Sequence, residues 1–241
     1  MYLSRVADPT YETAALTANT GGKNIIAYLA GLDATRISID VHHHKSGFGG
    51  ENHADVAGRI QQLGVTEPGV VGGFLAAPVA MSEVEQMQGY AVNGLVSSKV
   101  WGAGKVTWFP KILWGGATAG HTNDGSASGV WRPKGNAAFM TDDPAAPLPN
   151  VGNYTGNLDF TGLADLVAKQ AAGTLTPGQM YTVTLMVNQC ELTAAGVAAV
   201  LAEVDKYQAQ VADGRVVWKT IPAIVADWRD VYGSQPQIYE P

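Results

Sequence analysis

Apolar positions along the chain follow two rhythms, one near helical spacing and one of alternation or short continuous runs. In "PTYETAALTAN", Thr10 is a cap candidate, and Ile25, Ile26, Leu29 and Leu32 recur at near-helical spacing, which predicts two short opening helices. "TRISIDVHH" then alternates β-branched and polar residues as a strand does, and the Gly-rich "SGFGGEN" ends it. "HADVAGRIQQLGV" puts Val56, Ile60 and Leu63 on one helical face with Gly64 as the stop. "GVVGGFLAAP" is short and apolar throughout, as a strand buried on both faces should be. "MSEVEQMQGY" reads as the next helix, capped by Ser82 and stopped by Gly89.

From Lys105 to Asn136 the pattern breaks, because Trp, Gly, Pro and Asn leave little room for a long regular element. Strand pieces are expected at 105–109 and 111–114, followed by a long ordered Trp/Gly-rich loop around 110–157. Loops beyond about 12–15 residues are uncommon and usually functional or disordered, and Trp108, Trp114 and Trp131 favour order here.

The two-rhythm pattern then resumes. "TGLADLVAKQAAG" predicts a helix, "QMYTVTLMVN" a strand, "TAAGVAAVLAEVDKYQAQVADG" one long helix, "RVVWKT" a strand, and "IPAIVADWRDVYG" a helix with Pro222 in its first turn. Strands alternating with helices point to an α/β fold with parallel pairing, either a barrel or a doubly wound sheet. With no internal repeat and 241 residues, one domain spanning 1–241 is expected.

Composition narrows the partners. Hydrophobic residues at 46% against 15% charged argue for a packed globule. The net charge of −6, with scattered Lys and Arg, lacks the basic footprint of phosphate binding, so nucleic acid is not expected as a partner. No apolar run approaches the ~20 residues of a spanning helix, and "MYLSRVADPTYE" has no leader pattern. The expectation is a soluble protein, extracellular or periplasmic if a leader was removed and otherwise cytoplasmic. Lone Cys190 excludes an internal disulfide.

Candidate chemistry concentrates in "SIDVHHHKSGFGGENH", which holds four of the five histidines. On a strand, Asp40, His42 and His44 project to one face and Val41 and His43 to the other. One carboxylate and two imidazoles suit a divalent metal, zinc above all, with a position open to water or substrate. The alternative is a hydrogen-bonded polar patch at the sheet rim. His53 begins a helix and reads first as an exposed helix-start residue. "GHTND" adds His121 as a further ligand candidate and Asp124 as an acid/base candidate, or as loop-stabilising groups. "GVWRPKG" offers Arg132 to orient a carboxylate or oxyanion and Trp131 to stack on a sugar, with core packing of Trp131 as the alternative. No G-x-S-x-G elbow or phosphate-binding glycine motif follows a strand.

Two family resemblances attach to these residues. "IDVHHH" resembles the first-strand signature of amidohydrolase-type metal hydrolase barrels, in which two alternate histidines are ligands. More broadly, the run from "MYTVTLMVNQCELTAAG" to "AIVADW" is similar to the closing part of polysaccharide deacetylases (the NodB-homology family). "GHTND" looks like part of that family's H-[ST]-x-x-[HS] metal motif, with Gly125 where the second histidine stands, and "WRPKG" resembles its R-x-P motif through Arg132 and Pro133. Asn188 falls near the place of the family's late catalytic histidine.

The resemblance implies a distorted (β/α) barrel of the polysaccharide deacetylase type. With the residue reading it leads to a divalent-metal-dependent hydrolase acting on a carbohydrate-linked amide or ester. Asp40, His42, His44 and His121 are the expected zinc ligands, Asp124 and Arg132 the catalytic groups, and Trp114 and Trp131 the substrate-facing residues. The alternative from another class is a catalytically silent barrel relative that keeps the aromatic loop and serves as a glycan-binding or interaction module.

Overall fold

The computed structural model describes residues 2–3, 21–42, 51–72, 83–114, 127–154, 159–185 and 193–241. The fold is mixed α/β around a mostly parallel sheet. Its strands are β1 (Tyr2–Leu3), β2 (Asp40–His42), β3 (Val70–Gly72), β6 (Ile112–Trp114), β7 (Ser128–Trp131), β8 (Asn150–Val151) and β9 (Gln237–Tyr239); β4 (Leu95–Val96) and β5 (Thr107–Trp108) form a separate antiparallel pair. The order across the large sheet is β1-β2-β3-β6-β8-β7-β9, so strands from both ends of the chain share it. Pairing is parallel from β1 to β8, and β7 runs antiparallel to both β8 and β9.

Alternation along these strands divides two apolar layers. Val41, Val71, Leu113 and Trp131 face α1 (Ile25–Ala30), α2 (His53–Gln62) and α3 (Glu83–Asn93), contacting Ile26, Val56, Ile60, Val84 and Met87. Val70, Ile112, Trp114, Val130 and Val151 face the other way, against Val225 and Trp228 of α7 (Ile221–Asp230). Helices therefore cover both faces, and among the described residues β1 and β9 do not pair to close a barrel.

Local chemistry sets the helix ends. Asn52 and Asp55 form a reciprocal capping box at the start of α2. Thr220 caps α7, and Pro222 occupies its first turn, where the missing N–H costs nothing. Helix α3 runs through Gly89 to Asn93, because Gly94, at φ +74°, supplies the left-handed stop. Ser82, its expected cap, lies outside the described residues, as does the first opening helix.

Four expectations change in the second half. The long helix over 193–214 is two, α5 (Ala194–Asp205) and α6 (Gln208–Ala212), interrupted at Lys206 and Tyr207. Residues 181–185 and 215–220 join no strand ladder. Conversely, the 110–157 stretch contains β7 and β8 as well as the predicted β6. Helix α4 (Thr161–Ala171) forms as expected, and no helix among the described residues is long and apolar enough to cross a membrane.

Candidate functional site

Parallel α/β sheets present their chemistry at the carboxyl ends of the strands, where the chain leaves the ladder with free side-chain directions. Here β2 ends at His42, β3 at Gly72 and β6 at Trp114, and these three are direct register partners. His42 and Trp114 thus share one face of the sheet with only a glycine between them. A Cβ at position 72 would come within 2.5 Å of the Trp114 ring, so the indole lies over Gly72 on the β2 side. The half-buried imidazole and the buried indole flank a floor with no side chain of its own.

A second group meets this edge from β8. Hydrogen bonds from Gly152 N to Gly129 O (2.8 Å) and from Tyr154 N to Ala127 O (2.9 Å) extend the β8/β7 ladder past Val151. Asn153, two residues beyond Val151, therefore shares the face of Val151 and of its register partner Trp114. The segment through Thr182 and Thr184 covers the same end. Thr184 accepts from Trp114 Nε1 at 3.1 Å, and its own N–H donates to Asn153 O at 3.1 Å. Thr182 is held by Gly129 N at 2.7 Å, Gly152 O at 2.9 Å and the Ser128 hydroxyl at 2.7 Å.

Asn153 is 1% exposed, and neither Oδ1 nor Nδ2 has a hydrogen-bond partner. Burying an amide without partners costs about 1–3 kcal/mol; Asn150, inside β8, is unpaired in the same way, whereas Thr182 and Thr184 beside Asn153 are satisfied. The next residue, Tyr154, has φ +31°, a conformation that non-glycine residues seldom adopt. Its hydroxyl donates to Asp165 at 3.0 Å, and Lys169 joins Asp165 at 2.8 Å and the Tyr239 hydroxyl at 2.7 Å. Burial, aided by the Asp165 carboxylate, pushes the Tyr154 phenol up to about 12, so it remains a donor at neutral pH. The Lys169 hydrogen bond holds Asp165 below the usual carboxylate range.

The sequence-derived candidates separate in space. Asp40 lies at the amino end of β2, away from the strand's exit. Its Oδ1 receives Gly69 N at 3.0 Å and Val70 N at 2.9 Å, and Oδ2 receives the Ser38 hydroxyl. The carboxylate fastens the start of β3 to β2, a structural task that occupies the oxygens a metal would need. It also borders a cleft of about 420 Å³ on this amino edge, with Glu67 and Lys111 among the lining residues. Among the described residues, no three His, Cys, Asp or Glu side chains converge in a metal-binding arrangement.

Trp131, expected to stack on a sugar, is fully buried, with its indole N–H donating to Phe139 O at 2.6 Å. It belongs to the core, which is the alternative to sugar stacking. Trp114 is also buried, but at the strand exit. Arg132 follows antiparallel β7 and so emerges at the amino edge of the parallel strands, opposite His42. Its guanidinium donates to Ser234 O at 3.1 Å, pairs with Asp142 at 3.6 Å and stacks over Trp228 at 5.3 Å. This geometry ties β7 to the end of α7. Arg132→Met is therefore expected to lower stability by about 1–2 kcal/mol while leaving ligand binding at the carboxyl edge unchanged, as thermal denaturation and titration would show.

His44, His121 and Asp124 lie outside the described residues. Chain order alone puts His43 and His44 directly after the end of β2, and His121 and Asp124 seven and ten residues after the end of β6. His53 stacks on Trp108, with ring centroids 6.1 Å apart and planes at 6°, rather than standing exposed at the helix start. Thr182, Thr184 and Asn153 carry no sequence signal for a site, since the two threonines lie in a stretch that reads as a strand and Asn153 follows a Pro-rich segment where Asn reads as a turn former. No protein-family model, no curated protein and no solved structure matches this chain.

Proposed function

We propose that the protein is a divalent-metal-dependent hydrolase of carbohydrate-linked amides or esters, with its reaction centre at the carboxyl edge of β2, β3 and β6. The observation that carries this reading is the parallel register His42–Gly72–Trp114. Because of it, β2, which precedes His43 and His44 in the chain, and β6, which precedes His121 and Asp124, end at one edge of the sheet, about 10 Å apart across two strand spacings. Helices on both faces support an open, doubly wound sheet as the finer architecture, over the distorted barrel that the resemblance implies.

In this proposal the ligands are His42, His44 and His121, and Asp40 keeps its strand-fastening role. The ion, zinc by the nitrogen-rich donor set, would lower the pKa of a bound water toward neutrality and polarise an acyl carbonyl. Trp114, over the bare floor of Gly72, provides an apolar wall for the substrate. The rival reading, a glycan-binding module without catalysis, draws support from the hydrogen bonds that already occupy Asp40.

Elemental mass spectrometry of the purified, tag-free protein separates the two. About one equivalent of zinc is expected, lost in His42→Ala/His44→Ala and retained in Asp40→Asn, which should instead lose stability. A metal-free protein that stays so after zinc addition and dialysis would remove the hydrolase reading. Metal retained by the double variant would remove the ligand assignment.

A further inference from the structure

Among the described residues, two buried amides are unpaired at both ends, Asn150 inside β8 and Asn153 beyond its carboxyl end, and Asn153 is the one placed at the carboxyl edge. Its backbone is engaged through Thr184 N–H, and its neighbours Thr182 and Thr184 have their hydroxyls in use, yet neither end of its carboxamide is paired. A side chain at this position with no polar task would pack better as an apolar residue of similar volume. Asp165, bonded to the adjacent Tyr154, is paired with Lys169 at 2.8 Å, so this pair adds little net charge beside the amide, which suits a neutral polar ligand. An unpaired carboxamide offers two donor hydrogens on Nδ2 and an acceptor on Oδ1. A neutral group matching both ends presents a carbonyl oxygen beside a hydroxyl.

We propose that Asn153 is the acyl-recognition residue of the carboxyl-edge site, Nδ2 donating to the carbonyl of a sugar-linked acyl group and Oδ1 accepting from the adjacent sugar hydroxyl. The proposal rests on the carbohydrate reading above and deepens it, because it makes acylation the feature that is bound. Thr184 links the two recognition elements, touching Trp114 with its side chain and Asn153 with its backbone. The indole then faces the acyl methyl while the amide takes the polar atoms. Asn153 is a binding and positioning residue in this scheme and moves no proton.

The test uses the N-acetylglucosamine trimer and its fully de-N-acetylated counterpart as probes, by calorimetric titration and saturation-transfer NMR, on the full chain. Wild type should prefer the acetylated trimer by about tenfold, and Asn153→Leu should lose that preference. In the absence of sugar, Asn153→Leu should melt at or above the wild-type temperature, since it removes an unsatisfied buried amide; a purely structural asparagine would show the opposite. Asn153→Ala provides the same binding readout without added volume. Three results overturn the proposal: no acetyl preference in wild type, wild-type preference in both variants, or a fall in melting temperature in Asn153→Leu. Asn153-dependent acetyl binding by a metal-free protein would uphold this proposal while removing the hydrolase reading. Metal-dependent hydrolysis indifferent to Asn153 would do the reverse.

Discussion

Asp55→Ala is expected to destabilise the fold by about 3–5 kcal/mol, lowering the melting temperature by roughly 10 °C for a chain of this size. Asp55 has no solvent exposure, and its carboxylate receives four donors. Asn52 N at 2.8 Å closes the capping box of α2, while Lys99 N at 2.8 Å, the Ser98 hydroxyl at 2.5 Å and Trp101 Nε1 at 3.3 Å come from the turn after β4. That turn lies against α2 closely enough that a Cβ on Gly58 would meet the Trp101 ring at 2.5 Å. Removing the carboxylate leaves these four donors, on half-buried residues and exposed Ser98, without their acceptor and frees the turn from the helix. Asp55→Asn, which keeps one acceptor oxygen but adds an amide facing other donors, should fall between alanine and wild type.

The same residue gives the stability a signed pH dependence. Burial acts to raise the Asp55 pKa, but hydrogen bonds from the Ser98 hydroxyl and from the Asn52 and Lys99 backbone outweigh it, with Trp101 adding to them, and hold the carboxyl below the usual carboxylate range. A depressed folded-state value means that the contribution is fully present above the unfolded value and drains away as pH falls through the lower folded one. The stability gap between wild type and Asp55→Ala should be constant near neutrality and shrink below about pH 4. Chemical denaturation of both proteins across pH 3–7 measures it, and a gap that widens on acidification would refute the assignment.

Legibility in the sequence followed side-chain pattern where packing is regular. Alternation in "TRISIDVHH" marked β2, the continuous apolar run around Val70–Val71 marked β3 as a strand buried on both faces, and β6 lies within the strand piece expected at 111–114. Pro222 marked the start of α7 through backbone chemistry that needs no tertiary information, and the structure adds Thr220 as its cap. Strands β7 and β8 escaped because Ser128, Gly129 and Asn150 have low strand propensity; their places come from pairing partners distant in sequence. The opposite error at "RVVWKT" has the same root, since β-branched residues make a strand only beside an open ladder edge, and Val217 and Trp218 remain exposed without one. For the site, sequence placed His42 and Trp114 among the candidates but gave no means of seeing that they share a register row. Asp40 and Arg132 drew attention as charged groups near motifs, and in space both serve the opposite edge of the sheet.

Gly129→Ala should be the most disruptive single methyl in the described fold, and its effect should reach the candidate site. Gly129 sits in β7 at φ +101°, where an L side chain is strained whatever the space around it, and its Cβ would fall 1.6 Å from Gln237 O. The obstructing atom is backbone of β9, so no rotamer change relieves it; β9 must leave β7 or the strand must bend. Either movement carries Gly129 N and O away from Thr182, whose hydroxyl links them to Gly152 O. The segment from Thr182 to Thr184 then loses its anchor, and with it go the partner of the Trp114 indole and the backbone partner of Asn153. We expect a loss of about 4 kcal/mol or more, read as a fall of roughly 8–16 °C in melting temperature. The surviving folded fraction should bind acetylated trimer with the weakened preference of Asn153→Leu. Gly162→Ala, whose Cβ would lie 2.0 Å from Tyr154 O, is the matched comparison: a backbone clash at the residue that follows Asn153, without the link to Thr182. Both variants should lose stability, but only Gly129→Ala should slow tryptophan quenching recovery on refolding through release of Trp114, so equal Trp114 environments in the two folded proteins would refute a path from β7 to the site.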